Sequence, residues 1–350
     1  VRILLFLSAL LCALAATYDP RPGPLRKDAV RGAWLAPAGT AALDGPAGVA
    51  ALKRLKALGA THVAFGPDVD MPDFRKPALR FGAHDAALRT SLRAARAEGL
   101  ATFLLPRIES PAFFAPTTRP DENPPWRGNL EMPDPVAWGA FFAEYRRMIA
   151  HYGALAREEG VAWFGIGLEY RLSAQKHPAE WRKVAAEAKR AFGGPITYSA
   201  NWDDYEQIAW WDAVDAIGIG AYFELLPARA QATADEAKKG FEPWRRRLAA
   251  YSAQWKRPIL FTEVGYTKFA DTAFRPWEWQ ERRPGERSLD SAAQADAWRA
   301  LFATFADEPW WKGVFVWRFY TDSAALPAWD YCPEGREAEL VIRAAFAAPR

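Results

Sequence analysis

Eight short runs of the chain are nearly continuous in apolar residues: 32–35, 61–65, 101–105, 161–167, 196–199, 216–220, 259–262 and 313–317. A strand with one wetted face alternates, whereas a strand covered on both faces reads as an unbroken apolar run, and parallel sheets cover both faces. Parallel neighbours also need a crossover between them. The intervals supply it, with helical patterns at 48–58, 83–98, 135–159, 178–192, 241–255 and 291–307. Several of these stop at a glycine (Gly59, Gly99, Gly160, Gly193), the residue that most easily turns left-handed past a helix end. The unbroken alternation predicts an α/β fold, a single (β/α)8 TIM barrel spanning residues 30–350.

Ahead of it, 1–16 combine a basic start with an apolar run ending in the small-x-small site Ala13-Leu-Ala15, which reads as a secretory signal peptide. The run is too short for a convincing membrane span. A secreted or periplasmic protein without stable membrane insertion is therefore expected. Lipid anchoring at Cys12 is the alternative, and the bulky Leu11 before it argues against that. Residues 17–29, with Pro20, Pro22, Gly23 and Pro24, read as a linker. Cleavage leaves Cys332 alone, so no internal disulfide is possible and the fold rests on its core. Half of the residues are hydrophobic, which suits a large core. A net charge of +3, with the basic residues scattered over helix faces, makes nucleic acid an unsuitable partner.

Two of the strand runs end in a glutamate: Val161-Ala-Trp-Phe-Gly-Ile-Gly-Leu-Glu169 and Pro258-Ile-Leu-Phe-Thr-Glu263. In a barrel of this kind the carboxyl ends of the strands form the active-site face. Two carboxyl groups facing each other there can cleave a glycosidic bond. A spacing of roughly 5–5.5 Å lets one attack the anomeric carbon and the other donate a proton, while roughly 6.5–9.5 Å leaves room for water. Glu169 is assigned as acid/base and Glu263 as nucleophile, with Glu169 protonated and Glu263 ionised at rest. The long segments 110–134 and 267–290 follow strands, so both are expected on that face as substrate-shaping loops. Seventeen tryptophans are unusual, and some are expected to line a groove that stacks on sugar rings.

Several motifs resemble glycoside hydrolase family 113, the β-mannanase family within clan A of the retaining glycosidases. They are Trp126-Arg-Gly128, Phe164-Gly-Ile-Gly-Leu-Glu169, Trp181-Arg182, Ile196-Thr-Tyr-Ser-Ala-Asn-Trp202, Trp211-Asp212, Asp215-Ala-Ile-Gly-Ile-Gly-Ala-Tyr222, Pro258-Ile-Leu-Phe-Thr-Glu-Val-Gly-Tyr266 and Gly313-Val-Phe-Val-Trp317. The similarity runs from about Val30 to Phe346. It implies the same roles for the two glutamates. It further implies that Tyr222 hydrogen-bonds the nucleophile, that Asn201 and Trp202 contact the sugar, and that Trp317 is the platform beneath it. Trp126, Arg127 and Tyr266 would wall the groove, Arg127 having the alternative of pairing with an acidic loop residue. The implied substrate is β-1,4-mannan, cut by a monomeric endo-acting enzyme.

Two features depart from the pattern. Leu168 stands before the acid/base, where the family usually has a polar side chain that can bond the sugar. Tyr331-Cys-Pro-Glu-Gly-Arg-Glu337 replaces a stretch that more often carries Lys-Pro. An exo-acting β-mannosidase, a β-glucan hydrolase, or a barrel that binds carbohydrate without cutting it therefore stay open as alternatives.

No metal or cofactor is expected. The four histidines, His62, His84, His151 and His177, have no ligand spacing. Asp68, Asp70 and Asp73 lack the glycine and distal glutamate of a calcium loop. No glycine-rich phosphate loop follows a strand, and no Gly-x-Ser-x-Gly elbow occurs.

Overall fold

The computed structural model describes residues 23–114, 126–278, 287–324 and 326–347. The expected signal peptide, Cys12, the first part of the linker, and the middles of both long loops (115–125 and 279–286) lie outside the described residues.

Ten strands occur: β1 (Val30–Ala36), β2 (His62–Phe65), β3 (Asp68–Asp70), β4 (Ala101–Leu104), β5 (Arg107–Glu109), β6 (Trp163–Leu168), β7 (Ile196–Asn201), β8 (Ala216–Gly220), β9 (Ile259–Val264) and β10 (Trp311–Tyr320). Eight of them close a barrel in the order β1-β2-β4-β6-β7-β8-β9-β10, which is chain order. Every neighbouring pair is parallel, including the seam where Val30 sits opposite Gly313. All eight apolar runs became barrel strands. β3 and β5 form a separate two-stranded sheet above the mouth, each continuing the path of the barrel strand before it.

The helices are α1 (Pro46–Leu58), α2 (Asp85–Ala97), α3 (Pro135–Glu158), α4 (Arg171–Lys176), α5 (Pro178–Phe192), α6 (Ala234–Trp255), α7 (Ser291–Phe305) and α8 (Glu337–Phe346). Local chemistry sets their ends. Asp134 accepts a hydrogen bond from the Ala137 N–H at 2.8 Å and Pro135 begins α3. Thr233 and Glu236 form a reciprocal capping box that starts α6 earlier than the expected 241, with Pro243 enclosed. Gly59 and Gly193 end α1 and α5 at φ 98° and 80°.

One unit is irregular. Between β7 and β8 the outer layer is two 3-10 turns, Tyr205–Gln207 and Trp211–Ala213. Tryptophans fill the space a helix would take. Trp210 stacks on Trp181 with centroids 5.3 Å apart and planes 4° from parallel, and donates its indole N–H to the Ala174 carbonyl at 3.0 Å. Trp211 donates to the Tyr205 carbonyl at 3.0 Å.

The larger core lies between strands and helices. A smaller cluster, with Trp34, Phe103, Leu105, Leu260 and Phe315, fills the barrel interior and leads up to Leu168, Tyr222 and Trp317. Packing there is close enough to require glycine at 165, where a Cβ would stand 2.3 Å from the Leu105 side chain. The expected linker is packed at its C-terminal end. Leu25 is fully buried with its N–H bonded to the Ala345 carbonyl at 2.8 Å, because the segment covers the bottom of the barrel beside α8. Among the described residues no helix is long and apolar enough to cross a membrane.

Candidate active site

Glu169 follows the last residue of β6 and Glu263 lies within β9, so both reach the carboxyl end of the barrel. Glu169 leaves the strand abruptly, at φ 59°, with its N–H bonded to the Ser199 carbonyl at 2.8 Å on β7. A non-glycine residue held left-handed costs about 1–2 kcal/mol. The surrounding packing offsets it: Tyr170 is 1% exposed and stacks on Trp181 at 5.8 Å. Its hydroxyl accepts the Ile108 N–H at 3.0 Å. Glu263 is held from its own backbone. The indole of Trp34 donates to the Thr262 carbonyl at 2.8 Å, and the Ala221 N–H reaches the Glu263 carbonyl at 2.6 Å.

The side chains around the two carboxyls are charged and hydrogen-bonded. Tyr222 donates its hydroxyl to Glu263 Oε1 at 2.7 Å. Arg127 donates to Glu169 Oε2 at 3.4 Å, to Glu109 Oε1 at 2.5 Å and to the Ile108 carbonyl at 3.3 Å. Behind Glu109, Arg107 reaches back to Asp68 at 2.7 Å. On the other flank Arg171 binds Asp204 at 3.0 Å, and Asp204 accepts from the Asn201 amide at 3.1 Å.

Burial dominates the titration of the pair. It raises Glu169, while Arg127 pulls back and the charge of Asp204 pushes further up. It also raises Glu263, where the charge of Glu169 adds to the effect and the Tyr222 hydrogen bond opposes it, leaving Glu263 at about 7. Two carboxyls that feel each other this strongly titrate as a dyad. Both carboxyls are displaced upward, with the Arg127 guanidinium on the Glu169 side.

The remaining expected residues divide into two groups. Trp317 is 8% exposed and meets Trp34 edge-on at 5.6 Å, within the cluster that contains Tyr222 and Leu168. Trp202 packs partly against that cluster and edge-on to Trp244 at 5.6 Å. Asn201 spends its amide on Asp204. Trp126 lies beneath the Arg171 guanidinium at 5.8 Å, with its ring over Gly128. Tyr266 is not a groove wall. It is 1% exposed, packs edge-on against Trp298 at 5.4 Å, and its hydroxyl is sealed without a partner. Glu109, Arg107 and Asp204 were not singled out from sequence. Their partners are remote in the chain, and no local pattern marks them.

Asp68, Asp70 and Asp73 are each paired with a cation, Arg107, Arg80 and Lys76. Among the described residues no group of three or more His, Cys, Asp or Glu side chains is placed to hold a metal ion.

A closed parallel barrel with two half-buried glutamates at the carboxyl ends of its fourth and seventh strands is the architecture of a glycoside-cleaving enzyme. The family model of Glycoside Hydrolase Family 113 matches residues 33–336, and the chain belongs to that family. It is a glycoside hydrolase. A sequence search of curated proteins returns no match.

Among solved structures the chain is similar to the GH113 β-mannanase from Alicyclobacillus acidocaldarius in complex with ManMIm. The identity is 26%, over 91% of this chain and 97% of that one, with a TM-score of 0.74. A second GH113 β-1,4-mannanase shares the fold at 21% identity, with 91% and 99% covered and a TM-score of 0.76. A β-glucuronidase from Faecalibacterium prausnitzii shares it more distantly, at 15% identity and a TM-score of 0.57, covering 93% of this chain and 50% of that one.

Proposed function

We propose that the protein is a retaining endo-β-1,4-mannanase in which Glu263 is the nucleophile and Glu169 the acid/base. The observation that carries this reading is the half-buried glutamate pair with a tyrosine hydroxyl 2.7 Å from one member. The likeness to β-mannanases within family 113 supports mannan as the polymer.

In the first step the Glu263 carboxylate attacks the anomeric carbon. The bond to the leaving sugar's oxygen breaks, and Glu169 gives that oxygen its proton. In the second step Glu169 takes a proton from water, the water oxygen attacks the same carbon, and the ester to Glu263 is released with the β configuration retained. Tyr222 lowers the energy of the charged nucleophile. Arg127 favours the ionised form of Glu169, which is the form required in the second step. Trp317 and Trp202 offer aromatic surface to the sugar's apolar face. Export by the signal peptide expected at 1–16 would deliver the enzyme to extracellular polysaccharide.

The test is reducing-sugar release from mannan, glucomannan, cellulose and xylan by wild type and Glu263→Ala. Cleavage of mannan that disappears in a folded Glu263→Ala protein is expected. Cleavage of another polymer alone would refute mannan, and full activity in the variant would refute the mechanism.

A further inference from the structure

The small sheet above the mouth is tied directly to the acid/base. Glu109 ends β5, and its carbonyl accepts the Met71 N–H at 2.8 Å. On the other side of the same strand, the Ile108 N–H reaches the hydroxyl of Tyr170, the residue after Glu169, at 3.0 Å. Arg127 fills the angle between them. Its Nε donates to the Ile108 carbonyl at 3.3 Å, its Nη2 to Glu109 Oε1 at 2.5 Å and its Nη1 to Glu169 Oε2 at 3.4 Å.

The guanidinium is shared unequally. The contact with Glu109 is a short charge-assisted hydrogen bond, whereas 3.4 Å to Glu169 lies outside the usual range of one. Burial opposes the charge of Arg127, and Glu109, ahead of Glu169, Tyr170 and Glu263, sustains it. Glu109 is itself braced by Arg107 at 3.4 Å, which also holds Asp68 at 2.7 Å. Charges thus alternate inward from the rim: Asp68, Arg107, Glu109, Arg127, Glu169.

Other groups face Glu169 from the elements around it. Arg171 on α4 is engaged by Asp203 and Asp204, Asp204 follows β7, and Glu263 lies on β9. The hydroxyls of Tyr198 on β7 and Tyr222 after β8 also feel its charge. Among the described residues, only Glu109 competes with Glu169 for the terminal nitrogens of Arg127.

An acid/base has to serve in two charge states, protonated in the first step and ionised in the second. A guanidinium devoted to Glu169 would hold it ionised and hinder the first step. A carboxylate that takes the shorter bond offsets that pull while the proton is on Glu169, and leaves Nη1 at hand when the charge appears.

We propose that Glu109 is a positioning residue for the reaction: by taking the shorter bond to Arg127 it keeps the guanidinium from claiming Glu169, so that the acid/base holds its proton in the first step and still has a cation within reach in the second. This rests on reading Glu169 as the acid/base and adds the group that governs its charge.

One measurement needs no turnover. The full chain, with carbon-13 in its glutamate carboxyls, carries Glu263→Gln so that Glu169 titrates without its partner, and Glu169→Gln in the same background identifies its resonance. Adding Glu109→Gln, which keeps the shape and an acceptor oxygen but removes the charge, should lower the Glu169 midpoint by about one pH unit. Glu109→Ser should lower it likewise, and Glu109→Asp, which restores the charge, should return most of the shift. Circular dichroism and the unfolding midpoint verify that each variant is folded.

The second measurement is kcat/KM against pH for proteins that retain Glu263, on a soluble manno-oligosaccharide. The alkaline limb, where Glu169 loses its proton, should move down by a similar amount in Glu109→Gln, and an aryl mannoside whose leaving group needs no proton should show no such movement. A midpoint that holds or rises in the charge-removing variants overturns the proposal. So does a loss of rate that is uniform across pH, the mark of a merely structural role. Failure of wild type to cut any glycoside would instead refute the hydrolytic reading, while the carbon-13 midpoint still decides whether Glu109 governs Glu169.

Discussion

Tyr222→Phe removes one oxygen, the donor that reaches Glu263 at 2.7 Å, and keeps the ring that lies edge-on to Tyr331 at 6.3 Å. A hydrogen bond to a charged group contributes about 1.5–3 kcal/mol net. At 1.36 kcal/mol per pH unit, its loss raises the pKa of Glu263 by about 1–2 pH units. Burial and the charge of Glu169 already push that group up to about 7. Glu263 must be ionised to attack, so kcat/KM climbs with pH through this titration, and a higher pKa moves the acid limb to higher pH. The assay is initial rates on a soluble manno-oligosaccharide across the acid and neutral range. Well below the wild-type limb the variant should be slower by about 10–100-fold, and the gap should narrow as pH rises past both limbs. A limb that stays in place or moves to lower pH, in a folded variant, would show that the tyrosine does not set the charge of the nucleophile.

Glu169→Ala should lose most of its activity on mannan while sparing aryl mannosides whose leaving groups need no proton; equal loss on both substrates would remove Glu169 from the acid role. His62 is pushed down from 6.5 to about 4 by burial, with Lys312 and Arg31 adding to it. A depressed histidine opposes protonation in the folded state, so stability is retained above the unfolded value near 6.5 and falls by about 3 kcal/mol as pH drops through that value to about 4. Denaturant unfolding of wild type and His62→Gln over this window should show a flatter acid profile in the variant, and identical profiles would acquit His62.

The barrel was legible because burial on both faces writes itself into consecutive residues, and all eight runs from 32–35 to 313–317 paired as that pattern demands. What remained hidden was shaped by distant partners. The Glu109–Arg127–Glu169 bridge joins three segments whose neighbours in sequence give no hint of it. The irregular unit between β7 and β8 left only a missing helical pattern, and the stacking of Trp181 on Trp210 that compensates it is a tertiary fact. Tyr266 illustrates the opposite error. An aromatic just past a barrel strand has the same sequence context whether it lines the cleft or turns inward, and Trp298 on α7 draws this one inward.

The pairing of β1 with β10 couples residues 283 positions apart (313 − 30), Val30 and Gly313. At ~5–20 residues per second, tens of seconds of synthesis separate them. Until β10 emerges, β1 and β9 each present an unpaired apolar edge, the kind of edge that recruits a strand from another chain. A translation product cut short before Trp311 keeps both glutamates yet never closes. Closure of the barrel accordingly turns on β10, and crowding of nascent chains is most dangerous just before that strand arrives.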